Sequence, residues 1–113
     1  MLATDPGFAE AHSNIAVALN ELERYEEAAK RCQAALQINA RNAGAQLNLG
    51  VALNGLGRYT EALTAYQQGL AFGADEATVQ IQIGNTLTKL GRVEEASAAF
   101  DRASALRLNR VGN

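Results

Sequence analysis

The chain repeats itself at a fixed interval. Residues 48–66, NLGVALNGLGRYTEALTAY, realign with residues 82–100 on a shift of 34 and with residues 14–32 on a shift back by 34. Leu19, Leu53 and Leu87 coincide, as do Leu22, Leu56 and Leu90, and Ala28, Ala62 and Ala96. Arg24, Arg58 and Arg92 coincide too, followed by Tyr25, Tyr59 and Val93. A period of this length restricts a chain to stacked supersecondary units, none of which can bury its apolar face alone.

The spacing within each unit is helical. Ile15, Leu19 and Leu22 lie four and three apart, as do Leu49, Leu53 and Leu56, and Ile83, Leu87 and Leu90. Each set forms one stripe of an amphipathic helix. A second stripe follows in each unit: Tyr25, Ala28, Cys32, Ala35; Tyr59, Ala62, Tyr66, Gly69; Val93, Ala96, Phe100, Ala103. Gly57 and Gly91 separate the two helices where a left-handed cap is favoured, and Glu23 replaces glycine in the first unit, predicting a more strained turn there. Acids open each second helix (Glu26, Glu27; Glu61; Glu94, Glu95), as the helix dipole favours. Glu26 with Lys30 and Glu27 with Arg31 have the order and spacing of helical ion pairs. The pattern predicts six helices, near 9–22, 25–38, 43–56, 59–72, 77–90 and 93–107.

The 113 residues suffice for one folded unit, 1–113, with repeats near 9–42, 43–76 and 77–110. Residues 1–8 read as the end of a preceding repeat, because Leu2 aligns with Leu36 and Leu70. Aromatic residues make up only 5% of the chain and Trp is absent, so the core is built mainly from Ala, Leu, Ile and Val. The net charge of -2 gives no field to gather phosphates, which argues against a nucleic-acid partner. No apolar run approaches the roughly 20 residues of a membrane span, and no membrane partner is expected. The single Cys32 fits a reducing compartment and a cytoplasmic location.

These residues resemble the tetratricopeptide repeat family. Its Leu-Gly pair appears as Leu49-Gly50 and Ile83-Gly84, and as Ile15-Ala16 in the first unit. Its small residue appears as Ala28, Ala62 and Ala96, and its later aromatic as Tyr66 and Phe100, with Cys32 in the first unit. His12, Gln46 and Gln80 replace the opening aromatic, and Ala40 and Ala74 the closing proline. The resemblance implies an all-α, right-handed superhelical solenoid of three helix–turn–helix repeats. It also implies that Gly50 and Gly84 sit where the two helices of a repeat cross closely, and that the first helix of each repeat lines a concave groove.

Catalysis is nearly excluded by inventory. One His and one Cys make a poor nucleophile or metal site, and His12 and Cys32 occupy core-filling positions, so no enzyme activity, metal or cofactor is expected. The groove is the stronger candidate. Asn14, Asn48 and Gln82 recur every 34 residues and form a carboxamide row; a carboxamide offers donor and acceptor together and holds a peptide unit without reading its side chain. Asn20 and Asn54 make a second row, continued by Thr88, and Asn85 lies on the same face. Val17, Leu47, Val51 and Ile81 supply apolar contact. The groove style resembles that of the O-linked N-acetylglucosamine transferase superhelix. The carboxylate clamp that other members use for chaperone tails is missing: Asn48 matches it, but Ser13, Val17, Thr78 and Gln82 stand at its other positions. The reading is a non-catalytic scaffold for a protein or extended peptide. The alternatives are end-to-end self-assembly as a homo-oligomer, because no polar capping helix is evident, and a substrate-recruiting part of a larger enzyme.

Overall fold

The computed structural model describes residues 6–112; of residues 1–8, read as the end of a preceding repeat, 1–5 lie outside them and 6–8 belong to the first helix. Among the described residues there are six helices and no strand: α1 (Pro6–Glu21), α2 (Tyr25–Ile38), α3 (Ala43–Gly55), α4 (Tyr59–Ala71), α5 (Glu76–Lys89) and α6 (Val93–Gly112). Four helices, α2 to α5, fall within a residue of expectation at both ends. The other two helices are longer. α1 opens on Pro6, whose missing N–H costs nothing in a first turn. α6 continues past residue 107 because no Gly or Pro interrupts it before Gly112.

The three turns within repeats are the same motif. The N–H of Arg24, Arg58 and Arg92 reaches the carbonyl of Leu19, Leu53 and Leu87 at 2.9, 2.8 and 2.9 Å. The preceding residue bonds Asn20, Asn54 and Thr88 at 3.0 Å in each case. This is the Schellman closure, which needs a left-handed residue. Gly57 and Gly91 supply it at φ 78° and 76°, and Glu23 is forced into the same conformation at φ 60°.

The helices of a repeat cross where glycine admits a ring. A Cβ on Gly84 would stand 2.7 Å from the Phe100 ring, and one on Gly50 would fall inside the Tyr66 ring. Tyr66 is consequently fully buried, and Gly50 and Gly84 are buried with it. In the first repeat Ala16 and Cys32 hold the corresponding places, both fully buried. The smaller Cys32 side chain leaves room at this crossing for the extra methyl of Ala16.

Successive repeats are joined by small residues. Ala28 and Ala29 of α2 pack on Ala52 of α3 with Leu19, Tyr25 and Leu49 around them. Ala9, Ala35 and Ala45 form a second cluster, and Leu53, Ala62, Ala65, Tyr66 and Val79 a third. The core is thus a string of neighbour contacts, as a one-dimensional array requires. α3 touches α1, α2, α4 and α5, and α1, α3 and α5 line up side by side.

The expected Glu26–Lys30 and Glu27–Arg31 pairs do not form. Among the described residues Arg24–Glu27, Arg58–Glu61 and Arg92–Glu95 pair instead, at 2.8, 2.6 and 2.6 Å. Each Arg stands at the N-cap of a second helix, so its planar fork lies across the first turn and meets the carboxylate with two parallel bonds. Arg92 holds the Glu95 carboxyl below its usual range by hydrogen bonding.

Two substitutions follow. Glu23→Gly relieves the left-handed strain and raises stability by about 1 kcal/mol. Gly50→Ala drives a methyl into the Tyr66 ring and lowers stability by about 1–3 kcal/mol. Urea unfolding followed by circular dichroism measures both.

Candidate peptide-binding groove

α3 and α5 are set in place by their first turns. Asn42 caps α3 by accepting the N–H of Ala45 at 2.9 Å. Asp75 caps α5 by accepting the N–H of Thr78 at 3.0 Å and its hydroxyl at 2.8 Å. Side-chain caps of this kind satisfy donors that a helix start leaves unpaired. With α1 beside them, the two helices enclose a cavity of 280 Å³ lined by Val17, Asn20 and Glu21, by Leu47, Asn48 and Val51, and by Thr78 and Gln82.

Six of the residues singled out from the sequence meet in that cavity: Val17, Asn20, Leu47, Asn48, Val51 and Gln82. The other four do not line it. Asn14 and Asn85 are exposed on α1 and α5, Ile81 is half-buried, and Asn54 accepts the Thr86 hydroxyl at 3.0 Å. Glu21 and Thr78 line the cavity and were not among the expected contacts. Their signal was present: Glu21 follows Asn20, and Thr78 sits one turn before Gln82.

The carboxamide row is not a free ladder. Asn48 Nδ2 donates to the carbonyl and the hydroxyl of Ser13, at 3.3 and 3.2 Å. Asn20 Nδ2 donates to the Asn48 carbonyl at 3.1 Å. These bonds tie the first helix of one repeat to the first helix of the next. They form because α1 and α3 run side by side, a proximity that only packing creates.

His12 is half-buried rather than a core filler. Arg31 Nη1 donates to its Nδ1 at 3.2 Å, because the ring stands at the edge of the α1–α2 contact where a cation can reach it. Cys32 does fill the core. It is fully buried, and burial pushes its thiol up to about 12, which keeps it neutral and unreactive at physiological pH. Burial likewise pushes the Tyr66 phenol up to about 12, opposed by the Thr86 hydroxyl. Among the described residues no group of three or more His, Cys, Asp or Glu could hold a metal ion, and no helix is long and apolar enough to cross a membrane. A second cavity, 360 Å³, lies between α3 and α4 of one repeat over Leu49 and Leu53; unlike the groove, it does not join repeats.

Paired antiparallel helices at a 34-residue period, with glycine-to-ring crossings and a shared groove, define an all-α solenoid. Tetratricopeptide repeat profiles match residues 19–81 and 77–110, and the chain belongs to the tetratricopeptide repeat family. No curated protein sequence matches it. Three solved structures show the same fold. MamA from MSR-1 superposes with a TM-score of 0.79 at 24% identity, over 94% of this chain. The chain spans 61% of the length of that MamA chain. The second tetratricopeptide domain of Spaghetti (RPAP3), bound to the HSP90 peptide SRMEEVD, gives 0.81 at 19% identity over 92% of this chain and 96% of its own. The Yersinia enterocolitica type III secretion translocator chaperone SycD, in an alternative dimer, gives 0.81 at 21% identity over 94% and 84%.

Two measurements check this description. Asn48→Ala removes the tie to Ser13 and lowers stability by about 1 kcal/mol, whereas exposed Asn14→Ala leaves the urea midpoint unchanged. A disulfide reagent leaves Cys32 of the folded chain unlabelled at about pH 8 during a time in which it fully labels the urea-unfolded chain.

Proposed function

We propose that the chain is a non-catalytic interaction scaffold that holds an extended peptide segment in the groove between α1, α3 and α5. One observation carries the reading: three repeats contribute side chains, aliphatic and polar, to one cavity. Val17 remains 41% exposed, an apolar surface open to a partner. Tetratricopeptide arrays serve as interaction scaffolds, and the RPAP3 domain with its bound peptide is a supporting example. Its ligand is acidic, and the cavity here holds Glu21 and no Lys or Arg, so a tail of the SRMEEVD kind does not suit this groove. A reducing compartment such as the cytoplasm suits the buried free thiol of Cys32.

Self-association is the second reading, and it rests on α1. Ala11, Ile15, Ala18 and Leu22 repeat the stripe Ala45, Leu49, Ala52 and Leu56, part of which α2 covers. On α1, Ile15 is 40% and Leu22 66% exposed. End-to-end stacking is less favoured than pairing through α1. On α6, exposed Ser97 and Ser104 replace the Ala29/Leu63 and Leu36/Leu70 of the earlier repeats.

Peptide binding measured by fluorescence anisotropy tests the first reading. Val17→Ser weakens binding by about fivefold or more at unchanged stability, because apolar contact is lost from the cavity. Binding that is indifferent to Val17→Ser would refute the groove. Light scattering over a concentration series tests the second: growth in mass that Ile15→Glu abolishes supports pairing through α1, and a constant monomer mass excludes it.

A further inference from the structure

The groove reading above leaves its occupant's chemistry open, and the hydrogen-bond inventory of the cavity narrows it. Asn48 directs its amide nitrogen at Ser13, and Asn20 directs its own at the Asn48 carbonyl. Thr78 spends its only hydroxyl hydrogen on Asp75. What these side chains retain is mostly oxygen, with one amide hydrogen left on Asn20. Asn48 Oδ1 and the Thr78 lone pairs remain acceptors, and the buried Asn20 Oδ1 has no hydrogen-bond partner. Glu21 completes the set with a carboxylate, which only accepts when ionised. Among the amide donors, Gln82 keeps both hydrogens uncommitted and Asn20 keeps one.

Charge follows the same direction. α1, α3 and α5 carry three carboxylates, Glu10, Glu21 and Glu76. Their one Lys or Arg is Lys89, which closes α5, and neither it nor the α1 imidazole of His12 lines the cavity. Glu21 also breaks a local rule. It is the last residue of α1, at the negative end of the helix dipole, where an acid weakens the helix. Lys89, in the equivalent last position of α5, obeys the rule. An acid retained at a locally unfavourable site in a cavity wall has its explanation in what it meets there.

We infer that the groove selects a segment carrying a Lys or Arg side chain beside aliphatic ones. The aliphatic side chains lie on Val17, Leu47 and Val51. The cation pairs with the Glu21 carboxylate, and Asn48 Oδ1 serves as a second acceptor. The partner is thus a basic–aliphatic peptide, opposite in charge to the acidic tail held by the RPAP3 domain.

The test uses the 113-residue chain and three pools of fluorescently labelled peptides, each about nine residues long, with one aliphatic pattern. The variable positions hold Lys/Arg, Gln/Asn or Asp/Glu. The expected result is that the basic pool binds about tenfold or more tighter than the acidic pool, and that added salt narrows the gap. Glu21→Gln and Glu21→Lys then remove the preference for the basic pool over the acidic one. Glu26→Gln, on the exposed face of α2, leaves the preference intact. The inference is overturned if the basic and acidic pools bind alike, if Glu21→Gln leaves the gap unchanged, or if Glu26→Gln narrows it equally. In those cases neutral-pool binding that depends on Val17 still upholds the groove. If no pool binds, the inference falls together with the groove reading.

Discussion

The approach of two helix backbones over an aromatic ring is the contact on which the rest of the solenoid depends. Where α3 meets α4, Gly50 has no side chain and Tyr66 occupies the space a Cβ would need. The same exchange recurs at Gly84 and Phe100. A fixed helix separation inside each repeat fixes the surface presented to the next. The next repeat then packs by equally small residues, with the Tyr25 ring seated over Gly55 and with Ala28 and Ala29 against Ala52. Interiors as dense as organic crystals do not tolerate a loose fit at such crossings. The first repeat satisfies the same constraint differently, trading the ring for Cys32 and the glycine for Ala16.

The groove is a consequence of that stacking. Placing α1, α3 and α5 side by side brings Asn20, Asn48 and Ser13 within bonding distance, so amides become ties between repeats. A tie and a ligand contact compete for the same hydrogens. Here the ties take the Asn48 hydrogens and one of Asn20's, and the oxygens that remain with Glu21 give the cavity a mainly accepting, negative character beside the aliphatic Val17, Leu47 and Val51. The groove's chemistry is therefore inherited from the way the scaffold holds itself together. The outer surface shows the complementary case: each second helix opens with an exposed Arg–Glu pair that closes locally and leaves the groove untouched.

How much of this could be read from the chain alone depended on the range of each interaction. The period, the six helices and the strained turn at Glu23 were legible from side-chain spacing and backbone conformation, and the glycine crossings from the family resemblance. So was the burial of Cys32, which shares a repeat position with Tyr66 and Phe100. The candidate groove was legible as a face, and six of its ten expected residues meet in one cavity.

Three features were decided only by tertiary structure. His12 has the repeat position of a core residue, yet its polar ring rests at an edge because Arg31 of α2 comes within reach. Glu27 suited Arg31 by spacing, but Arg24 at the N-cap lies nearer its carboxylate and takes it. Asn48 carried donor and acceptor alike in the sequence, and only the approach of α1 determined that the donors would be spent on Ser13. The sequence alone determined the class of fold, since its apolar periodicity admits one way of stacking. Tertiary structure decided which polar atoms stay available, because a hydrogen bond forms only when packing brings its two partners to about 3 Å.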